Sequence, residues 1–285
     1  MTLTSYVSLM IKIALAVALT VVSTTILFAQ DKSEYKQKER EFCSSSDNSG
    51  NDRVSVNDLR EFTVAAGSLN VDAGRNGGVR VKGENRSDIL VRACVQAWAG
   101  SAEGAKAAVA GVRISSSGTI KAEGIDENFA VSYDIRVPRS TDLSLTAHNG
   151  GISISSVDGR LEFETTNGGV NLSDVAGDVK GRTTNGGVNV ALMGRAWKGS
   201  GLDVQTSNGG VRLLIPETYA ANIETGTVNG GFSSDIASLN VERNERGRPR
   251  ATRINTSLNG GGAPIRVVTT NGGIRISSAE NRTTN

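Results

Sequence analysis

Thr165-Thr166-Asn167-Gly168-Gly169-Val170 is followed by Thr183-Thr184-Asn185-Gly186-Gly187-Val188 and, much later, by Thr269-Thr270-Asn271-Gly272-Gly273-Ile274. A pattern that returns at a steady interval marks a repeat architecture and outranks the local signals around it. The triplet Asn-Gly-Gly starts at Asn76, Asn149, Asn167, Asn185, Asn208, Asn229, Asn259 and Asn271. From Asn149 the spacings are 18, 18, 23, 21, 30 and 12. The last two together equal two spacings of 21. That places Asn259 off the main register and one extra coil between Asn229 and Asn271.

Each unit carries two short alternating strands. The unit after Asn149 reads Ile152-Ser153-Ile154-Ser155, a turn at Asp158-Gly159, then Leu161-Glu162-Phe163-Glu164-Thr165. The next reads Val170-Asn171-Leu172-Ser173, a turn at Ala176-Gly177, then Val179-Lys180-Gly181-Arg182-Thr183. Alternation in a strand gives one apolar and one polar face. The inward set is Ile152, Ile154, Leu161, Phe163, Val170, Leu172, Val188, Val190, Leu202, Val204, Val211, Leu213 and Ile223. Asn tolerates positive φ and Gly adopts it readily, so the triplet suits a sharp corner.

Two architectures fit. Asn-Gly between alternating strands is a hairpin signal and would give an antiparallel meander. A β-solenoid would instead stack the units in parallel, one coil each. The outward residues favour the solenoid. Stacking puts Glu162 over Lys180 over Asp203, and Glu164 over Arg182 over Gln205. Opposite charges at neighbouring positions stabilise a sheet. Stacking also aligns the Asn side chains, whose amides can form a ladder. The fold class read here is all-β: a β-solenoid of two-stranded coils with Asn-Gly-Gly corners over residues 141–278, followed by a polar tail at 279–285. Antiparallel pairing across Asn167-Gly168 would refute it.

Residues 59–140 read as an N-terminal β part with one short helix. Strand-like runs occur at Glu61-Phe62-Thr63-Val64, Leu69-Asn70-Val71, Val79-Arg80-Val81, Ile89 to Trp98, Val112-Arg113-Ile114 and Val131 to Val137. Between them Ser101 can cap a helix, Glu103 suits its first turn, and Ala105 to Ala110 favours helix up to Gly111. Residues 30–58 are too polar to fold alone and read as a flexible arm.

Residues 1–29 read as a signal peptide. Lys12 precedes an apolar run from Ile13 to Ala29, and Ala29 offers a small residue for cleavage. An uncleaved single-span anchor is the alternative. Export permits a disulfide. Ile89, Val91, Ala93, Val95 and Ala97 face one side of their strand, and Cys94 shares the other with Arg92 and Gln96. A Cys43–Cys94 bridge and two free thiols weigh evenly on sequence alone.

The chain has 285 residues and a net charge of +2, so it lacks the cationic excess of a nucleic-acid arm. Two cysteines exclude a disulfide scaffold, and a single long apolar run excludes a polytopic membrane protein. A search for chemistry returns no catalytic residue, no cofactor site and no metal site. The one histidine, His148, lies beside a corner, and no nucleophile elbow surrounds any serine. Cys43, Cys94 and His148 match no zinc spacing. Glu162 and Glu164 lie on one strand face at a separation compatible with glycoside hydrolysis. Their cationic neighbours and the 4% aromatic content, which leaves no sugar platform, favour a charge ladder. Arg246, Arg248 and Arg250, in a basic stretch from Glu242 to Arg253, form a candidate contact for anionic polymer or head groups.

The repeated Thr-Thr-Asn-Gly-Gly motif, with Val131-Ser132-Tyr133-Asp134-Ile135-Arg136-Val137-Pro138 and Asp142-Leu143 at the entry to the repeats, resembles a bacterial adhesin-like domain of unknown function, the Toastrack domain. The similarity spans roughly residues 60–278. The resemblance implies a solenoid-like fold, an exported or membrane-attached setting, no established enzymatic activity and no catalytic residues to carry over. The expectation is an exported, non-enzymatic adhesin-like binding or structural module at the cell envelope, in the periplasm or at the cell surface. Its partner would be an envelope polymer or protein and not nucleic acid, with self-association through the solenoid ends open. The alternatives are a carbohydrate-active enzyme on a solenoid and an envelope-stress or assembly module. An uncapped coil at Ile274-Arg275-Ile276 would support assembly.

Overall fold

The computed structural model describes residues 42–44, 53–124, 128–239 and 253–279. Two units are distinguished, Met1–Ser46 and Asp47–Asn285. The larger one carries the fold.

Its strands are β1 (Val54–Ala65), β2 (Leu69–Asp72), β3 (Val79–Glu84) and β4 (Asp88–Ala99), then helix α1 (Ala102–Gly111), β5 (Arg113–Ile114), β6 (Thr119–Glu123) and β7 (Phe129–Pro138). The repeats supply β8 (Leu143–Ala147), β9 (Ile152–Ser155), β10 (Asp158–Thr165), β11 (Val170–Ser173), β12 (Ala176–Asn185), β13 (Val188–Ala191), β14 (Gly201–Asn208), β15 (Val211–Ile215), β16 (Ala221–Asn229) and β17 (Phe232–Ser234). After a 3₁₀ turn at Ala237–Leu239 come β18 (Arg253–Leu258), β19 (Pro264–Asn271) and β20 (Ile274–Ser278).

They form two ten-stranded sheets. The first runs β1-β4-β7-β3-β9-β11-β13-β15-β20-β17 and the second β18-β16-β19-β14-β12-β10-β8-β2-β6-β5. Each repeat places one strand in each sheet, and neighbouring coils pair in parallel. Across Asn167-Gly168 the chain passes from β10 in one sheet to β11 in the other, so the meander is excluded and the solenoid stands.

Alternation explains the core. Along β10, Leu161, Phe163 and Thr165 are buried while Arg160, Glu162 and Glu164 are exposed. All thirteen residues assigned inward from the sequence are buried in one continuous core. Each fully buried aliphatic chain contributes about 1.5–3 kcal/mol. Ile89, Val91, Ala93, Val95 and Ala97 enter the same core from β4.

α1 begins as the sequence suggests, with the Ser101 hydroxyl accepting from the Gly104 N–H at 3.1 Å. Ala105 and Val109 are buried. The Arg60 guanidinium, from β1, donates to the carbonyls of Val109 and Val112 at the other end, where the Val109 carbonyl also accepts from the Val112 N–H. β1 starts at Val54, within the stretch read as polar arm, because its backbone pairs along its whole length with β4.

The structure departs from the reading at three further places. The second turn of each unit lies earlier than Asp158-Gly159 and Ala176-Gly177. Positive φ falls on Ser156 (56°) and Asp174 (53°), and in the second unit again on Gly177 (100°), while Asp158-Gly159 and Ala176-Gly177 already belong to β10 and β12. Gly159 and Gly177 both serve close approach. A Cβ on Gly159 would sit 2.6 Å from the Thr141 carbonyl oxygen, and one on Gly177 2.1 Å from that of Gly159.

The corner triplets differ too. Gly168 and Gly169 do not have positive φ, nor does Asn167. The Asn167 corner does not need left-handed backbone.

The largest departure is the order of the coils. Asn259 is off the main register, as expected; its amide donates to the carbonyls of Glu217 and Tyr219. Among the described residues, however, β18 is the only strand between β17 and β19, and it pairs antiparallel with β16 at the edge of the second sheet. No further parallel coil is seen there. The β19–β20 coil does not follow the β16–β17 coil in the stack. It lies between that coil and β14–β15. Ile274-Arg275-Ile276 is therefore interior, paired on both sides, and offers no open edge.

Candidate binding faces

The Asn-Gly-Gly corners line up as a seam along the stack. Asn149 Nδ2 donates to Asn76 Oδ1 at 3.1 Å. Asn167 donates to Asn149, Asn185 to Asn167, Asn208 to Asn185, Asn271 to Asn208 and Asn229 to Asn271, each at 2.8 Å. Seven amides thus form one ladder, extending the expected alignment back to Asn76. Beneath it, the buried hydroxyls of Thr165, Thr183, Thr206 and Thr269 donate to the carbonyls of Gly150, Gly168, Gly186 and Gly209 at 2.7–2.8 Å. The buried hydroxyls thereby find acceptors in the corner backbone.

The outer face of the second sheet is a charge ladder. The register places Ser144, Glu162, Lys180, Asp203, Arg266 and Glu224 in one row. Glu164, Arg182 and Gln205 align in the next. Both alignments read from the sequence hold. Arg182 meets Glu164 at 2.9 Å. Arg266 is bracketed by Asp203 at 2.6 Å and Glu224 at 3.4 Å. Glu162 and Glu164 line the same shallow depression, together with Lys180, Arg182 and Asp203. The two carboxylates considered for hydrolysis thus share that depression with cations, and one of them is bound to Arg182.

The outer face of the first sheet is different. Its central row reads Ser153, Asn171, Asn189, Arg212, Arg275 and Ser233. Asn189 Nδ2 donates to Asn171 Oδ1 at 2.8 Å. Arg212 and Arg275 are register partners, both exposed. This neighbourhood was not found from the sequence. Arg275 comes beside Arg212 only because the β19–β20 coil inserts out of chain order.

Other candidates are placed as follows. Arg246, Arg248 and Arg250 lie outside the described residues. Cys43 and Cys94 are disulfide-bonded and neither is a free thiol. His148 is exposed, and its backbone takes part in the corner hydrogen bonds. Among the described residues no group of three His, Cys, Asp or Glu side chains could hold a metal ion. Among them, too, no helix is long and apolar enough to cross a membrane. Burial pushes the Tyr219 phenol up to about 12, and raises Tyr133 further, with the Asp72 carboxylate adding to the effect there.

The family model described as Toastrack DUF4097 matches residues 54–277. No curated protein sequence matches the chain. Three solved structures are similar, each named with the qualifier putative. A cell adhesion protein from Clostridium sporogenes is 10% identical, with a TM-score of 0.40, over 78% of this chain and 100% of that one. An adhesin from Bacteroides fragilis is 12% identical, with a TM-score of 0.26, over 78% and 97%. A lipid binding protein from Parabacteroides distasonis is 11% identical, with a TM-score of 0.26, over 81% and 98%.

Proposed function

We propose, for a chain that belongs to the Toastrack DUF4097 family, a non-enzymatic binding module of adhesin-like type, exported to the cell envelope. One observation carries this reading: side chains stand in register rows across a rigid stack, giving long, regular polar faces. Such rows suit an extended partner, because successive coils offer polar groups at one strand spacing, about 4.8 Å. The apolar leader at 1–29 and the disulfide-bonded state of both cysteines support an oxidising, exported setting. We take the bridge to join Cys43 to Cys94; a non-reducing peptide map that left them on separate peptides would disprove this.

A second reading, a carbohydrate-active enzyme, draws on Glu162 and Glu164 lining one depression. Against it stands the Arg182 guanidinium, which sits 2.9 Å from Glu164 and ties that carboxylate into an ion pair on the sheet face. The test is to incubate the purified protein with fractionated envelope material (peptidoglycan, lipopolysaccharide, outer-membrane proteins), following retention and sugar release together. Retention without release is the expected result. Release that disappears in Glu162→Gln or Glu164→Gln would establish the enzyme instead.

A further inference from the structure

Arg212 and Arg275 stand directly opposite each other on adjacent parallel strands, β15 and β20. Strand spacing brings their Cα atoms to about 4.8 Å. Like charges placed so are destabilising. Among the described residues, neither has a carboxylate within ion-pair distance. The same coils handle charge differently on the opposite sheet, where Asp203 and Glu224 bracket Arg266. Nothing in the packing requires the arginine pair, since both side chains point to solvent.

Their surroundings are selective. Two shallow depressions flank the pair and share Asn189, Arg212 and Arg275. One adds Ser233, the other Asn171, Ser173 and Ser277, and no carboxylate lines either. Among the described residues, the exposed large hydrophobics Val54, Leu59, Met193 and Val228 line neither depression. The face therefore offers two forked cations in a field of amides and hydroxyls, with no exposed large apolar group to enter a bilayer. No aromatic side chain is exposed in these rows to stack on a nucleobase, as single-stranded nucleic-acid sites require.

We propose that the Arg212–Arg275 face binds an acidic polysaccharide, the guanidinium pair taking its carboxylate or sulfate groups and the Asn171, Asn189 and Ser233 side chains its hydroxyls. Guanidinium matches both anions through paired N–H donors. A sugar chain laid across the strands would meet amides and hydroxyls on successive coils. The proposal rests on the binding-module reading and names its ligand class and face.

The test measures binding of the full chain to immobilised polygalacturonate, dextran sulfate and neutral dextran, with phosphatidylglycerol vesicles as a fourth surface. The native protein should bind polygalacturonate or dextran sulfate, ignore dextran, and release as salt rises. Binding to one acidic polymer alone identifies carboxylate or sulfate as the anion recognised. Arg212→Gln/Arg275→Gln should weaken that binding roughly tenfold or more, as loss of charge-assisted hydrogen bonds implies. Arg113→Gln, an exposed arginine on β5 outside these rows, should leave it unchanged. The melting temperature of the double variant should be no lower than native, because a repulsion has been removed. Arg212→Glu gives Arg275 an acidic neighbour, keeps the fold and abolishes binding. Equal binding by native and double variant overturns the proposal. So does vesicle binding that depends on the pair without polysaccharide binding. If the native protein ignores both acidic polymers yet is retained by another envelope fraction, this inference falls and the binding-module reading stands. Retention by no fraction sinks both.

Discussion

Gly168 and Gly169 are adjacent in sequence and unequal in consequence. A Cβ on Gly168 would lie 2.0 Å from the Gly150 carbonyl oxygen, backbone that cannot yield without opening the stack. On Gly169 the nearest such contact is 3.5 Å, from the Gly187 oxygen, an ordinary separation. Gly168→Ala should therefore destabilise by about 2–3 kcal/mol, in the range of overpacked cores. Gly169→Ala should stay near native, and chemical denaturation of the two variants checks the contrast. Tyr219 supplies a second prediction. Its pKa rises from 10.0 to about 12 on burial, so folding favours the neutral phenol. That stability is fully present below pH 10.0 and is lost as pH climbs towards about 12. Tyr219→Phe should narrow the alkaline loss of stability, read as denaturant midpoints across that window. The identity of the inward residues was legible in the alternation, because a strand's period is set by its own backbone. The reason for the glycines was not, because the clash arises only between coils distant in sequence.

At the level of the element, the charge ladder of the second sheet sets register more than it stabilises. Arg182 and Glu164 keep 70% and 52% of their side-chain surface in water, where such a pair is worth at most about 1 kcal/mol. Glu164→Gln/Arg182→Gln should shift unfolding free energy by less than about 1 kcal/mol, whereas Phe163→Ala, in the core beneath, should cost about 3–5 kcal/mol. Urea titration of the two variants side by side tests the difference. Strands and their parallel stacking were legible from period and outward charge. The second turn was misplaced because Asp158-Gly159 and Ala176-Gly177 were read as turns. Both glycines are there for close approach, Gly177 at a positive φ as well, and the turn itself lies earlier, at Ser156 and Asp174. The spacing of 23 reflects a longer corner between β13 and β14, where Trp197 is buried and its indole N–H donates to the Gly177 carbonyl.

For the whole molecule, the out-of-order coil matters most. In an ordinary solenoid, losing a terminal repeat shortens the stack and leaves the rest folded. Here, deleting residues from Pro264 onward removes an interior strand from both sheets, parting β14 from β16 and β15 from β17. We expect that truncation to lose cooperative unfolding, measured by calorimetry, rather than to melt as a slightly smaller stack. Sequence arithmetic allowed a coil between Asn229 and Asn271 and said nothing of insertion, since both arrangements preserve the same spacing. The Arg212–Arg275 face was hidden for the same reason.

Coil insertion also separates the order of synthesis from the order of docking. Coils up to β15 can add one upon another as the chain emerges. Asn229 must wait for Asn271, 42 residues later, before its amide has a partner. Until then the segment that will close the stack has a vacant slot on its inner side, and β15 presents a bare edge to any other strand nearby. The final step resembles fitting a keystone, late and all at once. The interval before it is when a nascent chain is most exposed to pairing with its neighbour.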